Sequence, residues 1–324
     1  MQQAVQGFIG RQVGQEVRVQ GLTKLPGGAV KEIFSCQVIL PEQTIDAVLR
    51  VERSAPLPVA LSLAQEFKVM DVAWRAGVPV PKPLWYSADA LAGPCCLMER
   101  VYGQALPSKI LYKDSFKKAR ERLPDQMAKA LAAIHAIPVE PELPAFMPDR
   151  GVAGEVDFYE KAYSDYSLDP HPTLELTLRW LRQNPPPERP KRLVHGDFRM
   201  GNLICDESGL QKVLDWELAH LGDPMEDFGW PMVMAWRFGK NHLPLAGLCQ
   251  REEFFKAYEN AGGETVDPAA VHFWEVFGNL KWAVITILQA APFLNGTSNS
   301  IELASLGRKT VEVERQLIAL LEDA

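Results

Sequence analysis

The hydrophobic periodicity changes character about a third of the way along the chain, and that change constrains the fold more than any other feature. From Glu16 to Arg53, short runs rich in Val, Ile and Phe are broken by Pro26-Gly27-Gly28 and Pro41-Glu42-Gln43, the pattern of three antiparallel strands. Leu63, Phe67, Met70 and Trp74 then recur at helical spacing until Gly77, Pro79 and Pro81 end the helix, and Cys95 to Val101 returns to strand. After Gly103 the spacing is mostly helical, with one short strand pair expected near Leu193 to Leu214. Strand-rich then helix-rich predicts an α+β chain, with a small antiparallel-sheet lobe over 1–102 and a larger, mostly helical lobe over 103–324.

Composition narrows the function. The 34 basic and 41 acidic side chains give a net charge of −7, too acidic for phosphate-backbone binding, so no nucleic-acid partner is expected. The five cysteines are scattered without a C-x-x-C pair, which argues against a disulfide framework or a structural zinc site and suits a reducing, cytoplasmic setting. The opening MQQAVQGFIGR lacks the basic start and apolar run of a secretory signal. The longest apolar run, Trp282 to Leu294, is interrupted by Gln289 and Pro292 and reads as a core helix, so no membrane span is expected. Charge is uneven: residues 1–103 carry 10 bases and 9 acids, leaving 24 and 32 for the remainder. Between Asp149 and Glu175 seven acids face only Arg150, Lys161 and one histidine, read as a solvated helical face in preference to a site for a cationic substrate.

The chemistry concentrates in Leu193-Val194-His195-Gly196-Asp197-Phe198-Arg199-Met200-Gly201-Asn202-Leu203-Ile204 and, after a turn, Val213-Leu214-Asp215-Trp216-Glu217. Asp197 and Asn202 are five residues apart, and Asp215 follows 13 residues beyond at the end of an apolar strand. This is the spacing of phosphoryl transfer, in which one Asp receives or orients the attacking hydroxyl while an Asn and a second Asp hold magnesium against the phosphates. Oxygen ligands suit a hard divalent cation, and a neutral Asn adds coordination without more negative charge beside a triphosphate. A tight loop pinned by Asp and Asn would explain one such pair, but three polar positions at these offsets favour the functional reading.

On the residues H-G-D-F-R-M-G-N at 195–202 and V-L-D-W-E at 213–217, the chain resembles the aminoglycoside phosphotransferase and choline kinase superfamily, whose fold is similar to that of protein kinases. W-L-R-Q-N-P at 180–185, V-L-D-W-E-L-A-H-L-G-D-P at 213–224 and I-E-L-A-S-L-G-R at 301–308 resemble more closely the kinase domains associated with acyl-CoA dehydrogenases. The resemblance implies a two-lobed kinase-like fold and an ATP- and Mg2+-dependent kinase acting on a small-molecule hydroxyl. Asp197 would be the base, Asn202 and Asp215 the metal ligands, and His195 structural. Arg199 would contact the transferring phosphate or the acceptor, or pair with a nearby acid. The tripeptide Asp227-Phe228-Gly229 is not taken as the metal site. It follows Asp223-Pro224-Met225-Glu226, which reads as a helix start with Asp223 as N-cap; Asp223 and Asp227 would both support the catalytic loop, Asp227 by bracing it from below.

The first lobe should clamp the nucleotide. Gly27 and Gly28 would let backbone amides approach the phosphates, although the loop is not G-x-G-x-x-G, and Val30 stands where relatives often carry Ser. Alternation in Ile45-Asp46-Ala47-Val48-Leu49-Arg50-Val51 puts Val48 and Arg50 on the cleft face. Arg50 takes the place of the protein-kinase strand lysine, with Glu66 as its helix partner. By the same resemblance Met98, Glu99 and Val101 form the hinge that reads adenine. The acceptor is left open between a hydroxyacyl thioester and an aminoglycoside. Two other classes stand beside the kinase: a non-catalytic nucleotide-binding module, and a metallohydrolase using His195, Asp197, Asp215, His220 and Asp223. The latter leaves Asn202 and the first lobe without a role.

Overall fold

The computed structural model of the protein describes residues 1–25, 31–53 and 57–322. Helix α1 (Gln2–Val13) opens the chain and precedes strands β1 (Arg18–Lys24), β2 (Lys31–Ile39) and β3 (Thr44–Glu52). Helix α2 (Leu63–Arg75) follows, then β4 (Pro83–Ser87) and β5 (Cys95–Glu99). The five strands form one antiparallel sheet in the order β1-β2-β3-β5-β4. Alternation divides its two faces. Ala47, Leu49 and Val51 are fully buried on one side, where Val5, Phe8 and Ile9 of α1 pack against them with Val19, Val38 and Leu97. Val48 and Arg50 turn the other way. Helix α1 was not expected, yet Val5, Phe8 and Ile9 at i, i+3 and i+4 carry its apolar stripe. Helix α2 starts at a capping box in which the Ser62 hydroxyl and the Gln65 side chain satisfy each other's backbone amides.

The second lobe holds α3 (Pro107–Tyr112), α4 (Lys117–His135), α5 (Gly151–Tyr166) and α6 (Pro172–Gln183), then β6 (Arg192–Val194), β7 (Leu203–Asp206), β8 (Gly209–Val213) and β9 (His220–Gly222). Helices α7 (Glu226–Met232), α8 (Arg251–Asn260), α9 (Pro268–Leu294), α10 (Ile301–Leu306) and α11 (Lys309–Glu322) complete it. Where one strand pair was expected there are two: β6 with β9 and β7 with β8, so the catalytic segment sits between two small sheets. Three residues in each of β6 and β9 are too few to leave a periodic signal. The run Trp282 to Leu294 is the C-terminal half of α9, which is buried over most of its length and packs against α5, α6, α7, α10 and α11. Among the described residues no helix is long and apolar enough to cross a membrane. A small antiparallel-sheet lobe followed by a larger, mostly helical lobe is the α+β arrangement the sequence predicts.

Candidate active site

Strand β6 delivers the chain into a loop whose first backbone amides are held by buried side chains. Gly196 has φ +74°, and a Cβ there would lie 2.3 Å from the Leu218 carbonyl oxygen, so only glycine passes at this point. The buried carboxylate of Asp227 accepts from the His195 amide at 2.7 Å and the Gly196 amide at 2.9 Å. Its Oδ2 also meets His135 Nε2 at 3.1 Å. Asp227 thus lies beneath the loop with both oxygens committed to it. The His195 ring joins the two motifs, its Nδ1 accepting from the Asp197 amide and its Nε2 donating to the Leu214 carbonyl. Burial lowers the pKa of this imidazole and keeps it neutral, which suits one accepting and one donating nitrogen. Asp223, expected to support this loop, does not reach it. Its carboxylate accepts from the Met225 amide and from Trp274 Nε1 of α9, bracing the turn ahead of α7. That helix begins at Glu226, two residues later than the sequence suggested, and Glu226 turns inward to His220 and Lys281.

Asp197 is nearly buried, and every contact to its carboxylate is a donor. Trp230 Nε1 donates to Oδ1 at 2.6 Å and Arg199 Nε to the same oxygen at 2.8 Å, while Asn202 Nδ2 donates to Oδ2. Arg199 therefore takes the acid-pairing option among those expected of it, with its guanidinium 4.2 Å from the centre of the Trp236 ring. Asn202 Nδ2 also reaches the Asp197 carbonyl at 3.0 Å, which ties the two ends of the loop. Asp215 has φ +63°, a left-handed conformation that non-glycine residues seldom adopt. Among the described residues its buried Oδ1 has no hydrogen-bond partner. Burial, reinforced by Glu217 and Glu66, pushes this carboxyl up to about 7. The unpartnered Asp215 oxygen, with Asn202 bordering the same cavity, offers oxygen donors that suit a divalent cation.

On the sheet side, Arg50 Nη1 contacts Glu66 Oε1, and Arg50 Nη2 lies 3.9 Å from Asp215 Oδ1. Lys31, which was not singled out from sequence, is buried and bonds Glu66 Oε2 at 2.7 Å and Glu217 Oε2 at 2.8 Å. Burial alone would raise the Glu66 pKa, but Arg50 and Lys31 outweigh it and hold the carboxyl below its ordinary range. The register showed where to find Lys31. Ile33 pairs with Arg50 and Lys31 with Glu52, so alternation puts Lys31 on the same face as Arg50. Leu25, Val48, Met70, Met98, Val101 and Leu214 line an apolar cavity of about 370 Å³ that Glu99, Arg50, Asn202 and Asp215 also border. Gly27, Gly28 and Val30 lie outside the described residues.

A second cavity, of about 310 Å³, opens on the other side of Asp215 and Arg50 and contains Asp197, Arg199, Lys31 and Glu217. Away from that charged cluster its wall is Leu57, Val59, Trp230, Trp236, Trp282 and Ile285. None of the acids between Asp149 and Glu175 lines either cavity. Most pair on the surface, as Asp157 and Glu160 do with Arg182, whereas Glu155 is buried against Arg150. The metallohydrolase ligand set does not converge. His195 is spent on backbone, and Asp223 on the Met225 amide and Trp274. His220 instead neighbours Glu155 and Glu226.

Comparison with known proteins agrees with this geometry. Residues 34–274 match the phosphotransferase enzyme family. The chain is 28% identical over 285 residues to acyl-CoA dehydrogenase family member 10 of Mus musculus, covering 81% of this chain and 26% of that protein. It is 26% identical over 216 residues to family member 11 of Homo sapiens, covering 62% and 28%. The chain thus spans about a quarter of the length of these curated relatives. Among solved structures, one described as a candidate aminoglycoside phosphotransferase from Ralstonia eutropha superposes with a TM-score of 0.76 at 23% identity, covering 99% of this chain and 98% of that one. Aminoglycoside phosphotransferase APH(4)-Ia in its ternary complex with AMP-PNP and hygromycin B gives 0.60 at 19% identity, covering 96% and 98%. The family match extends over most of the sequence and includes both polar motifs, and the chain belongs to the phosphotransferase enzyme family.

Proposed function

We propose that the protein is an ATP- and magnesium-dependent small-molecule kinase that phosphorylates a hydroxyl group of an acyl thioester. The observation that carries the reading is the placement of Asp197, Asn202 and Asp215 where two cavities meet, one bounded by the sheet and Met98–Val101 and the other by tryptophans. In this reading residues 1–102 clamp the nucleotide and residues 103–324 carry catalysis and acceptor binding. Adenine occupies the apolar cavity against Val48, Met98 and Val101. Arg50, fixed by Glu66, reaches the phosphates. Asn202 and Asp215 would hold Mg2+, which would supply charge neutralisation at the phosphates.

Asp197 orients the acceptor hydroxyl for in-line attack and takes its proton as the new P–O bond forms and the bond to the leaving ADP oxygen breaks. Most of the acceleration comes from positioning and charge neutralisation. Arg199 has to leave Asp197 for the hydroxyl to approach, and its place against Trp236 puts it beside the entering acceptor. The acceptor side argues for an acyl thioester over an aminoglycoside. A polycation needs several unmatched carboxylates around it, whereas Asp197, Asp215 and Glu217 share this cavity with Lys31, Arg50 and Arg199, and the wall beyond them is aromatic and aliphatic apart from Gln289. The curated relatives, named as acyl-CoA dehydrogenase family members, support the same class.

The test is transfer from γ-labelled ATP with magnesium to a panel of hydroxyacyl-CoAs, aminoglycosides and choline-like alcohols. Label should pass to a hydroxyacyl-CoA, and Asp197→Ala should abolish transfer while Mg-ATP binding stays within about twofold. An active Asp197→Ala enzyme would remove the base assignment. Transfer to aminoglycosides alone would overturn the acceptor, and bound ATP with no transfer to any class would favour a binding module.

A further inference from the structure

The catalytic loop rests on a buried ammonium supplied from 85 residues away. Lys281, near the middle of α9, is 1% exposed, and its Nζ donates to the Gly196 carbonyl at 2.8 Å and to Glu226 Oε1 at 2.9 Å. The Gly196 carbonyl belongs to the peptide unit whose nitrogen is that of Asp197, so this bond fixes the plane from which the Asp197 side chain departs. The same ammonium lies 4.9 Å from the centre of the Trp230 ring, whose Nε1 donates to Asp197 Oδ1. Glu226 and Trp230 are four residues apart on α7 and meet Lys281 together from one face of that helix. Glu226 is held in turn by His220, the residue of β9 paired with Val194 immediately before the loop.

We propose that Lys281 and Trp230 form a positioning relay for Asp197: the lysine clamps the peptide plane that carries Asp197 and seats the indole that orients its carboxylate. Packing alone would not require a charge at this place. A buried ammonium loses its hydration, and an apolar side chain of similar volume is often neutral or stabilising where an ion pair only fills space. Lys281 has its donors aimed at a backbone carbonyl of the catalytic loop and a carboxylate, with an aromatic face beside it. Asp227 holds the two amides of the loop and Lys281 its carbonyl, so the loop is gripped from two helices. The inference rests on Asp197 being the base.

The experiment compares wild type, Trp230→Phe, the charge-balanced double variant Lys281→Met with Glu226→Gln, and all three substitutions combined. Asp197→Ala is run in parallel. Turnover, the KM for ATP, the Kd for Mg-ATP and thermal stability are measured on each. Trp230→Phe keeps most of the packing, and the charge-balanced variant avoids leaving a buried carboxylate unpaired. Each should lose about tenfold or more in kcat with the ATP KM and Mg-ATP Kd within about twofold, the signature of a misplaced group and not of lost binding. The combined variant should lose little more than the worse parent, because both act through one carboxylate. Wild-type kcat in folded variants, losses confined to KM, or losses that multiply would each overturn the relay. An Asp197→Ala enzyme that still transfers phosphate would instead overturn the base assignment, which separates the two failures.

Discussion

Asp215 and Asp227 lie within a short stretch of chain, the first half-buried and the second fully buried, and their surroundings give them opposite tasks. Asp227 spends its oxygens on the His195 and Gly196 amides and on His135. Asp215 keeps an oxygen without a partner, in a strained backbone conformation among other carboxylates. Removing Asp227 orphans two buried amides, at a cost of about 1–3 kcal/mol for each unsatisfied donor. Removing Asp215 relieves its repulsion with Glu217 and Glu66. Asp227→Ala should therefore lower the denaturation midpoint strongly, while Asp215→Ala should leave it unchanged or raise it slightly and lose the thermal stabilisation that Mg-ATP confers. Melting curves with and without Mg-ATP distinguish them, and a destabilised Asp215→Ala protein would show that the Asp215 carboxylate is net stabilising through Arg50. The distinction was partly legible in sequence, because Asp215 ends an apolar strand whereas Asp227 follows a Pro-containing turn that starts a helix. The contribution of Trp230 was not, since an indole after D-F-G carries no spacing that reveals its hydrogen bond to Asp197.

At the scale of elements, what could be read depended on how far apart in sequence the partners lie. Strands β1 to β3 and helix α2 follow local rules: alternation, turn residues and a Ser62/Gln65 cap. Those rules also placed Arg50 and Glu66 together, because one lies on the cleft face of β3 and the other in the first turn of the next helix. Lys31 obeyed the same alternation but borders the glycine turn, whose residues read as an ending and not as the start of a functional face. The outcome is a helix joined to the sheet by one carboxylate with two cations, Arg50 from β3 and Lys31 from β2. Removing one partner of a buried ionic cluster leaves uncompensated charge and costs about 3–5 kcal/mol. Glu66→Ala should destabilise the protein by that amount in chemical denaturation and weaken Mg-ATP binding, since Arg50 is then free to turn to Asp215. A loss below about 1 kcal/mol would mean that Glu217 alone satisfies both cations.

Over the whole molecule, the larger lobe is organised around an ionic cluster that no local pattern announces. Glu155 of α5, His220 of β9, Glu226 of α7 and Lys281 of α9 meet in the interior, with Arg150 against Glu155. Their separations run from 6 to 126 residues, so only the completed fold brings them together. Their titration links the stability of the lobe to pH. Burial would lower the His220 pKa, but Glu155 and Glu226 outweigh it and raise it from 6.5 to about 9, so the folded imidazole is charged at neutral pH. A group held above its unfolded value binds its proton more tightly in the native state. The resulting stabilisation is fully present below pH 6.5 and is lost as pH rises through about 9, a difference of roughly 3 kcal/mol. Glu226 behaves in the opposite sense. Lys281 and His220 overcome its burial and hold it at about 2, so its contribution is present above its ordinary 4.5 and is lost as pH falls toward 2. The melting temperature of the wild type should therefore fall between pH 6.5 and 9.5, and His220→Gln, less stable at pH 6.5, should show a flatter profile over that window. Parallel profiles for the two proteins would mean that the alkaline loss arises elsewhere and that His220 is neutral in the folded lobe.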